Sequence, residues 1–451
     1  MQIIIVGCGN VGATLAEKLS REGHNITVID VKGDVVHNVS NNFDIMGIVG
    51  NGAGYTIQKE AGVDEADLLI AVTGSDELNL LCCLIAKKAG DCHTIARVRN
   101  PVYSREIGFI KEELGLSMII NPEEAAAMEI ARILKLPSAI KIDIFAKGKV
   151  ELVTFKLEGS TFFAGQTLKD ISAKTKCDVL ICMVERDEEI IIPDGNFVLQ
   201  EKDEVSVVGT VKNMVLFFKK LGMATTMAKN AFIVGGGETA YYLAAQLLSI
   251  GVAVKIVEMD KKRCVELSEL LPQAMIIFGD GTDRDLLMEE GLPQTEAFVA
   301  LTNIDEENIM LSLFARSISK AKLITKVHRI AYDEIMEELN LGSVIYPKYI
   351  TAESIIRYVR GMQNSIGSNI ETLYRMNNDR VEALEFFVRE ESPVVGIPLQ
   401  ELNLKPNLLI CILNHKGNIT TPGGQSRISV GDTVVIVTTI TGLNDISDIL
   451  R

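Results

Sequence analysis

What this sequence lacks narrows it first. It contains no apolar run approaching the roughly 18 residues that a membrane-spanning helix needs. No charged-then-apolar leader precedes the first strand-like run, IIIV at residues 3–6, so no signal peptide is expected. Eight cysteines include no CxxC pair, and none of the five histidines lies near a cysteine pair at metal-ligand spacing. Nucleophile elbow and P-loop motifs are absent as well. Basic residues are outnumbered 45 to 60, for a net charge of −15, which excludes general nucleic-acid binding by a basic face. A soluble, cytoplasmic protein with reduced, buried cysteines and no bound metal is the expectation.

What is present is a 451-residue chain, 47% hydrophobic, with short runs rich in Val, Ile and Leu. Such runs suit parallel strands covered by helices on both faces. IIIVGCGNVGATLAEKL (3–19) reads as a strand, a glycine turn and a helix, and AFIVGGGETAYYLAAQL (231–247) repeats that order. Adding 228 carries Gly7 and Gly9 onto Gly235 and Gly237, and Asp30 onto Glu258. Adding 229 carries IVGNGA onto IFGDGT, TGSDELNLL onto TNIDEENIM, and ARVR (96–99) onto TKVH (325–328). Agreement in register over so long a stretch marks an internal duplication.

Each half continues into a shorter repeated segment. KVELVTFKLEGSTFFAGQTLKDI (149–171) parallels RVEALEFFVREESPVVGIPLQEL (380–402), and turns at Pro193-Asp194-Gly195 and Pro422-Gly423-Gly424 recur further on. The expected fold is α/β: two tandem Rossmann-like, doubly wound parallel-sheet domains, each followed by a small α+β domain with antiparallel strands. The expected bounds are 1–135, 140–222, 229–362 and 368–451. The phrase Asn121-Pro122-Glu123-Glu124 reads as a helix start, Tyr346-Pro347 opens its counterpart, and KKLGMATTMAKN (219–230) reads as the linker.

Gly7-Cys8-Gly9-Asn10-Val11-Gly12 lies between a strand and a helix, where its glycines allow a tight turn, close approach of a pyrophosphate, and helix packing. The helix start then offers N–H groups and the positive dipole end to phosphates. Asp30 ends the second strand, placed to accept ribose hydroxyls and to repel a 2′-phosphate. Thr73, Gly74, Arg97 and Val98 fall at the ends of the next strands. Arg97 is open to two readings, phosphate partner or interface residue; Asn51 and Gly52 likewise border an adenine or simply form a turn. The second copy offers Gly235, Gly236, Gly237, Glu238 and Thr239, with Ala240 at the third glycine's place and Glu258 as the ribose acid. Glu238 stands where a phosphate would come, which leaves occupancy of this copy open.

Catalytic machinery is not evident, and no catalytic residue is assigned. The segments after each Rossmann-like unit are too small for a usual catalytic domain, and no histidine recurs as a pair, His328 standing where the first half has Arg99. Asp76-Glu77 and Asp305-Glu306 recur as helix starts, where the dipole explains them. Cys82 and Cys83 read as core or interface.

The GCGNVG turn with Asp30, the phrases AVTGSDELN and ARVRNPVY, the helix NPEEAAAMEI and the repeated PDG and PGG turns together resemble the tandem RCK (KTN) domains of bacterial Trk potassium-uptake regulators. The resemblance covers essentially the whole chain. It implies a first nucleotide site of Gly7–Val11, Asp30, Thr73, Gly74 and Val98, and a second of Gly235–Thr239, Glu258, Thr302 and Val327. It further implies NAD(H) or ATP/ADP as a regulatory ligand, and a homotetramer closing an eight-RCK ring. The ring would be peripheral at the inner face of the plasma membrane, on a TrkH- or TrkG-like potassium-translocating subunit. An NAD-dependent oxidoreductase is the alternative.

Overall fold

In the computed structural model of the chain, described apart from residues 102, 104–105, 137–138, 147–148, 158–162, 224–226, 329–338, 340, 365–369 and 377–379, two compact units are formed. Each draws on both halves of the sequence. The first comprises Met1–Ala131 and Lys229–Ile356, the second Arg132–Ala228 and Arg357–Arg451.

The first half opens with β1 (Gln2–Val6), β2 (Asn25–Asp30), β3 (Met46–Val49), β4 (Leu68–Ala71), β5 (His93–Arg97) and β6 (Met118–Ile120). They form one parallel sheet in the order β3-β2-β1-β4-β5-β6, with the order reversing between β1 and β4. That reversal is the switch point at which doubly wound sheets bind ligands. The central strands are apolar on both faces: Ile3, Ile4, Ile5 and Val6 are all buried, as are Leu68 to Ala71. The helix Asn10–Arg21 crosses one face, burying Val11, Leu15, Ala16 and Leu19 at helical spacing.

A small sheet follows, made of β7 (Lys141–Phe145), β8 (Val150–Lys156), β9 (Val179–Arg186), β10 (Glu189–Ile191) and β11 (Glu204–Thr210), antiparallel in the order β10-β9-β11-β8-β7. The second half repeats both. β12 (Asn230–Val234), β13 (Ala253–Glu258), β14 (Met275–Phe278), β15 (Ala297–Ala300), β16 (Lys322–Lys326) and β17 (Ser343–Ile345) form a parallel sheet ordered β14-β13-β12-β15-β16-β17. β18 (Ile370–Met376), β19 (Val381–Phe387), β20 (Leu408–His415), β21 (Asn418–Thr420) and β22 (Thr433–Thr438) form the second small sheet, ordered β18-β19-β22-β20-β21. The duplication read from the sequence is therefore a duplication of topology.

One local expectation changes. Lys219 and Lys220 are not linker but the last turn of the helix Val211–Lys220, whose start is capped by the Thr210 side chain. Residues 224–226 of the expected linker lie outside the described residues. Asn121 does cap the helix Pro122–Lys135, its Oδ1 accepting the Glu124 N–H at 3.1 Å.

Like units pack with like. In the first unit the Tyr242 hydroxyl donates to the Arg99 carbonyl at 3.0 Å and accepts from Asn121 Nδ2 at 2.9 Å, while Lys18 pairs with Glu353 at 3.0 Å. In the second unit each small sheet is buried on both faces. Val153, Phe155, Val205 and Val207 pack on the module's own helices, whereas Val150, Leu152, Met183 and Val208 share one core with Val381, Ala383, Ile412 and Val435 of the other module. Cys182 and Cys411, matched by the repeat, meet in that core as fully buried thiols. Each such aliphatic side chain contributes about 1.5–3 kcal/mol when removed from water, so the shared core outweighs the polar ties across it.

One of those ties is expensive. Glu385 is 4% exposed and accepts the Ala146 N–H across the two modules at 2.9 Å. Burial, ahead of any neighbour, raises its pKa above the ordinary 4.5. A carboxyl whose folded pKa is raised stabilises the fold at acid pH and loses that contribution as pH rises through the folded value. Glu385→Gln keeps the acceptor without the charge. It should melt a few degrees above the parent at pH 7.5 (about 1 kcal/mol), with the gain shrinking as pH falls toward 4.5. A pH-independent difference in thermal melts would contradict this.

Candidate functional site

The site is built by the chain's need to turn sharply after β1 and β12. Gly7 has φ +101°, and a Cβ there would lie 2.9 Å from the Thr73 backbone nitrogen. Gly235 repeats this with φ +98° and a Cβ position 2.8 Å from the Leu301 carbonyl group. Only glycine fits a turn this close to the neighbouring strand end. Gly9 and Gly237 differ: a Cβ at either would meet nothing within 4 Å, so each faces open space. Both precede the first helical residue in extended conformation, and neither helix start is capped by a side chain. Gly12 packs tightest, its Cβ position falling 1.8 Å from the Gly7 oxygen; Ala240 carries a real Cβ at the matching place.

Asp30 closes the first turn. Its Oδ2 accepts the Cys8 N–H at 2.7 Å and its Oδ1 accepts the Lys32 N–H at 3.0 Å, which leaves each oxygen capacity for a further hydrogen bond. Glu258 does the same in the second half, accepting from Gly236 N at 2.6 Å and Asp260 N at 2.7 Å. Cys8 contributes backbone only: its thiol is buried, and burial followed by the Asp30 charge pushes its pKa up to about 12.

Thr73 and Gly74, after β4, and Thr302, after β15, lie beside these turns. Val98 and Val327 do not offer their side chains, which are buried at 1% and 0% exposure in the cores behind the strand ends. Within the chain the Arg97 guanidinium donates to the Thr73 carbonyl and is a strut between the ends of β4 and β5. Its partial burial, then Arg99, lowers its pKa. Lys326 repeats the strut, donating to the Leu301 carbonyl at 2.9 Å, and burial lowers its pKa to about 8. Gly52 proves to be a packing residue, its Cβ position lying 2.1 Å from Val6 Cγ1, and Asn51 closes its own turn on Ala53 N at 3.0 Å.

The clamping role of four residues escaped the sequence reading. Asn79, fully buried, accepts the Thr73 N–H and hydroxyl, both at 2.7 Å, and donates to the Arg97 carbonyl at 2.9 Å. Asn308 makes the matching bonds to Thr302 N at 2.9 Å and to the Lys326 carbonyl at 3.0 Å. Asp76 accepts the backbone N–H groups of Arg99 and Asn100, both at 2.9 Å, so it holds the loop after β5 as well as starting a helix. Asp305 holds His328 through N–H and Nδ1 at 2.9 and 3.0 Å. The signal was present: all four recur in TGSDELN and TNIDEEN. A fifth is Arg263, which donates to the Gly236 carbonyl at 2.8 Å and pairs with Glu238 at 3.2 Å. The charge that Glu238 places at the helix start is thus matched by a cation on the helix Lys261–Leu270.

Two Rossmann-type crevices with acid-tipped second strands, each joined in sequence to an antiparallel module, define a tandem Rossmann-type architecture. The TrkA-N domain model matches residues 3–122 and 231–347, and the TrkA-C domain model matches 152–222 and 383–451. The chain belongs to the TrkA family. It is 32% identical over 444 residues to the Trk system potassium uptake protein TrkA homolog 1 of Methanosarcina mazei, covering 97% of each chain. Among solved structures it shares its fold with the GsuK RCK domain, at TM-score 0.62 and 18% identity over 97% of this chain and 92% of that one. The GsuK channel bound to NAD gives TM-score 0.62 and 18% identity, over 97% and 76%.

Removing either asparagine strands a buried N–H and a carbonyl at the crevice floor. Asn79→Ala and Asn308→Ala should each cost about 1–3 kcal/mol, and the amides of Thr73 and Thr302 respectively should exchange with solvent about tenfold faster or more. Unchanged protection of those amides would show that the clamps do not hold the strand ends.

Proposed function

We propose that the chain is the nucleotide-binding regulatory subunit of a Trk-type potassium-uptake system, and that its first crevice takes an adenine nucleotide, NAD(H) or ATP/ADP, as a signal. The first crevice itself carries this reading. Gly9 is open to a phosphate, the helix Asn10–Arg21 has no acid in its first turn, and Asp30 stands 2.7 Å from the Cys8 nitrogen with lone pairs to spare. The proposed contacts are Gly7 to Gly12, Asp30, Thr73 and Gly74, with Arg97 and Val98 supporting them from behind. Gly235 to Thr239, Glu258, Thr302 and Val327 are their counterparts in the second half.

The relatives' naming as Trk potassium-uptake proteins and the NAD-bound channel of the same fold support the assignment. Among the described residues no helix is long and apolar enough to cross a membrane, and no group of three or more His, Cys, Asp or Glu is placed to hold a metal. Potassium passage therefore belongs, in this reading, to a separate membrane partner of the TrkH or TrkG type, with this chain peripheral at its inner face. Two RCK-like units per chain make four copies sufficient for an eight-unit ring. A ligand that binds one ring shape better shifts the equilibrium by its differential affinity, and about 1–3 kcal/mol gives several-fold control. In this reading the ligand is bound and released unchanged.

Calorimetry with ADP, ATP, NADH and NAD should show binding that Asp30→Ala weakens at least about tenfold, the loss of one charge-assisted hydrogen-bond acceptor to the ribose. NADH absorbance should stay constant over hours. Consumption of NADH would instead identify an oxidoreductase, and wild-type protein that binds none of the four would leave only an assembly role.

A further inference from the structure

The two crevices differ at one place, and the difference is built. In the first half the helix start is free of acids and the residue at the position of Arg263 is Val35, which has no polar group. In the second half Glu238 is the first helical residue. Arg263 lies across the turn, with Nε donating to the Gly236 carbonyl at 2.8 Å, Nη2 3.2 Å from Glu238 Oε1, and Nη1 3.1 Å from Glu266 Oε2. Its side chain is 19% exposed and that of Glu238 34%. The guanidinium therefore ties together the residues on either side of Gly237, the open glycine to which a pyrophosphate would come.

We propose that Arg263 and Glu238 form an internal clasp that makes the second crevice reject phosphates, so that each chain binds one adenine nucleotide instead of two. A carboxylate at the helix start already satisfies the positive dipole end, and an incoming pyrophosphate would meet its charge at close range. Arg263 offsets only part of that charge, through the single contact of Nη2 with Oε1 at 3.2 Å, while its Nε and Nη1 are directed to the Gly236 carbonyl and to Glu266. It fixes the carboxylate in place. Everything else needed for a nucleotide is retained: Gly235 with its positive φ, the open Gly237, and Glu258 tied to the turn. The second crevice is a latent site, held off by one residue.

The proposal rests on the nucleotide reading of the first crevice only for its count of one, and the test separates the two. Calorimetry with ADP and NADH is run on the full-length chain as wild type, Asp30→Ala, Glu238→Asn, Glu238→Gln and the Asp30→Ala/Glu238→Asn double variant. Expected are one site in wild type, that site weakened at least about tenfold in Asp30→Ala, two sites in Glu238→Asn and in Glu238→Gln, and one tight site in the double variant, weakened in turn by Glu258→Ala. The new site should bind at least tenfold more tightly than any residual second-site binding of wild type. Wild type with no site but Glu238→Asn with one would overturn the first-crevice reading and uphold the clasp. Two sites in wild type, with Arg263→Gln abolishing the second, would overturn the clasp and make Arg263 a phosphate ligand. Failure of both Glu238 variants to gain a site while melting like wild type would also overturn it.

Discussion

Everything at the crevices depends on backbone lying against backbone. Gly7 can turn because nothing projects from it toward Thr73, and Gly12 lets the following helix come down onto the Gly7 carbonyl. This closeness aims the helix start at the switch point between β1 and β4, and it brings the Cys8 N–H within reach of the Asp30 carboxylate. A tight turn between parallel strands leaves polar groups at the strand ends with no ladder partner, and such groups cannot stay buried and unpaired. The amide of Asn79 supplies an acceptor to one strand end and a donor to the next, and Arg97 closes the same gap from the other side. The strand ends are thereby fixed before any ligand arrives, which is what preorganised binding requires.

How much of this was legible follows from the range of each interaction. Glycine turns and the acid at the tip of the second strand are demanded by local backbone geometry, so they stand in the sequence at fixed spacing from a strand and a helix. Topology was legible because a duplicated chain states its plan twice. The strand-end clamps were not read, although Asn79 and Asn308 recur at matched positions, because an asparagine inside a helical pattern carries no local sign of where its amide points. Arg263 was hidden for a stronger reason. It lies 25 residues beyond Glu238 in sequence, with no counterpart in the first half, so neither spacing nor repetition marks it. Arg97 shows the opposite failure: its position at a strand end was legible, but its carbonyl partner is a backbone atom that no motif records.

The halves have diverged most where one charge could be exchanged for another without moving the backbone. Arg97 becomes Lys326, each donating to a carbonyl at the end of the adjacent strand. Arg99 beside Asp76 becomes His328 beside Asp305. In the small modules the bidentate pair of Arg186 with Asp203, at 2.7 and 2.8 Å, becomes His415 with Asp432 at 2.5 Å. In the last two exchanges the buried carboxylate stays because it also holds backbone N–H groups, as Asp203 holds Gln200 N and Asp432 holds Ser429 N. The cation is the replaceable partner, since the backbone N–H groups bonded to the carboxylate do not depend on which cation faces it.

That asymmetry bears on what duplication does for this fold. Each small sheet has two apolar faces, and its own helices cover only one. A single copy would leave the other face to find a partner by collision, with the entropy of association opposing it. Tandem copies bring the partner at high effective concentration, and the shared core of Leu152, Met183, Val381 and Ile412 is filled within one chain. Once pairing is secured by covalent connection, the copies need not remain alike. One crevice can keep an acid-free helix start while the other acquires Glu238 and Arg263, because the fold requires only the glycines, the clamps and the strand-tip acid, and none of these changes when the charge at the helix start does.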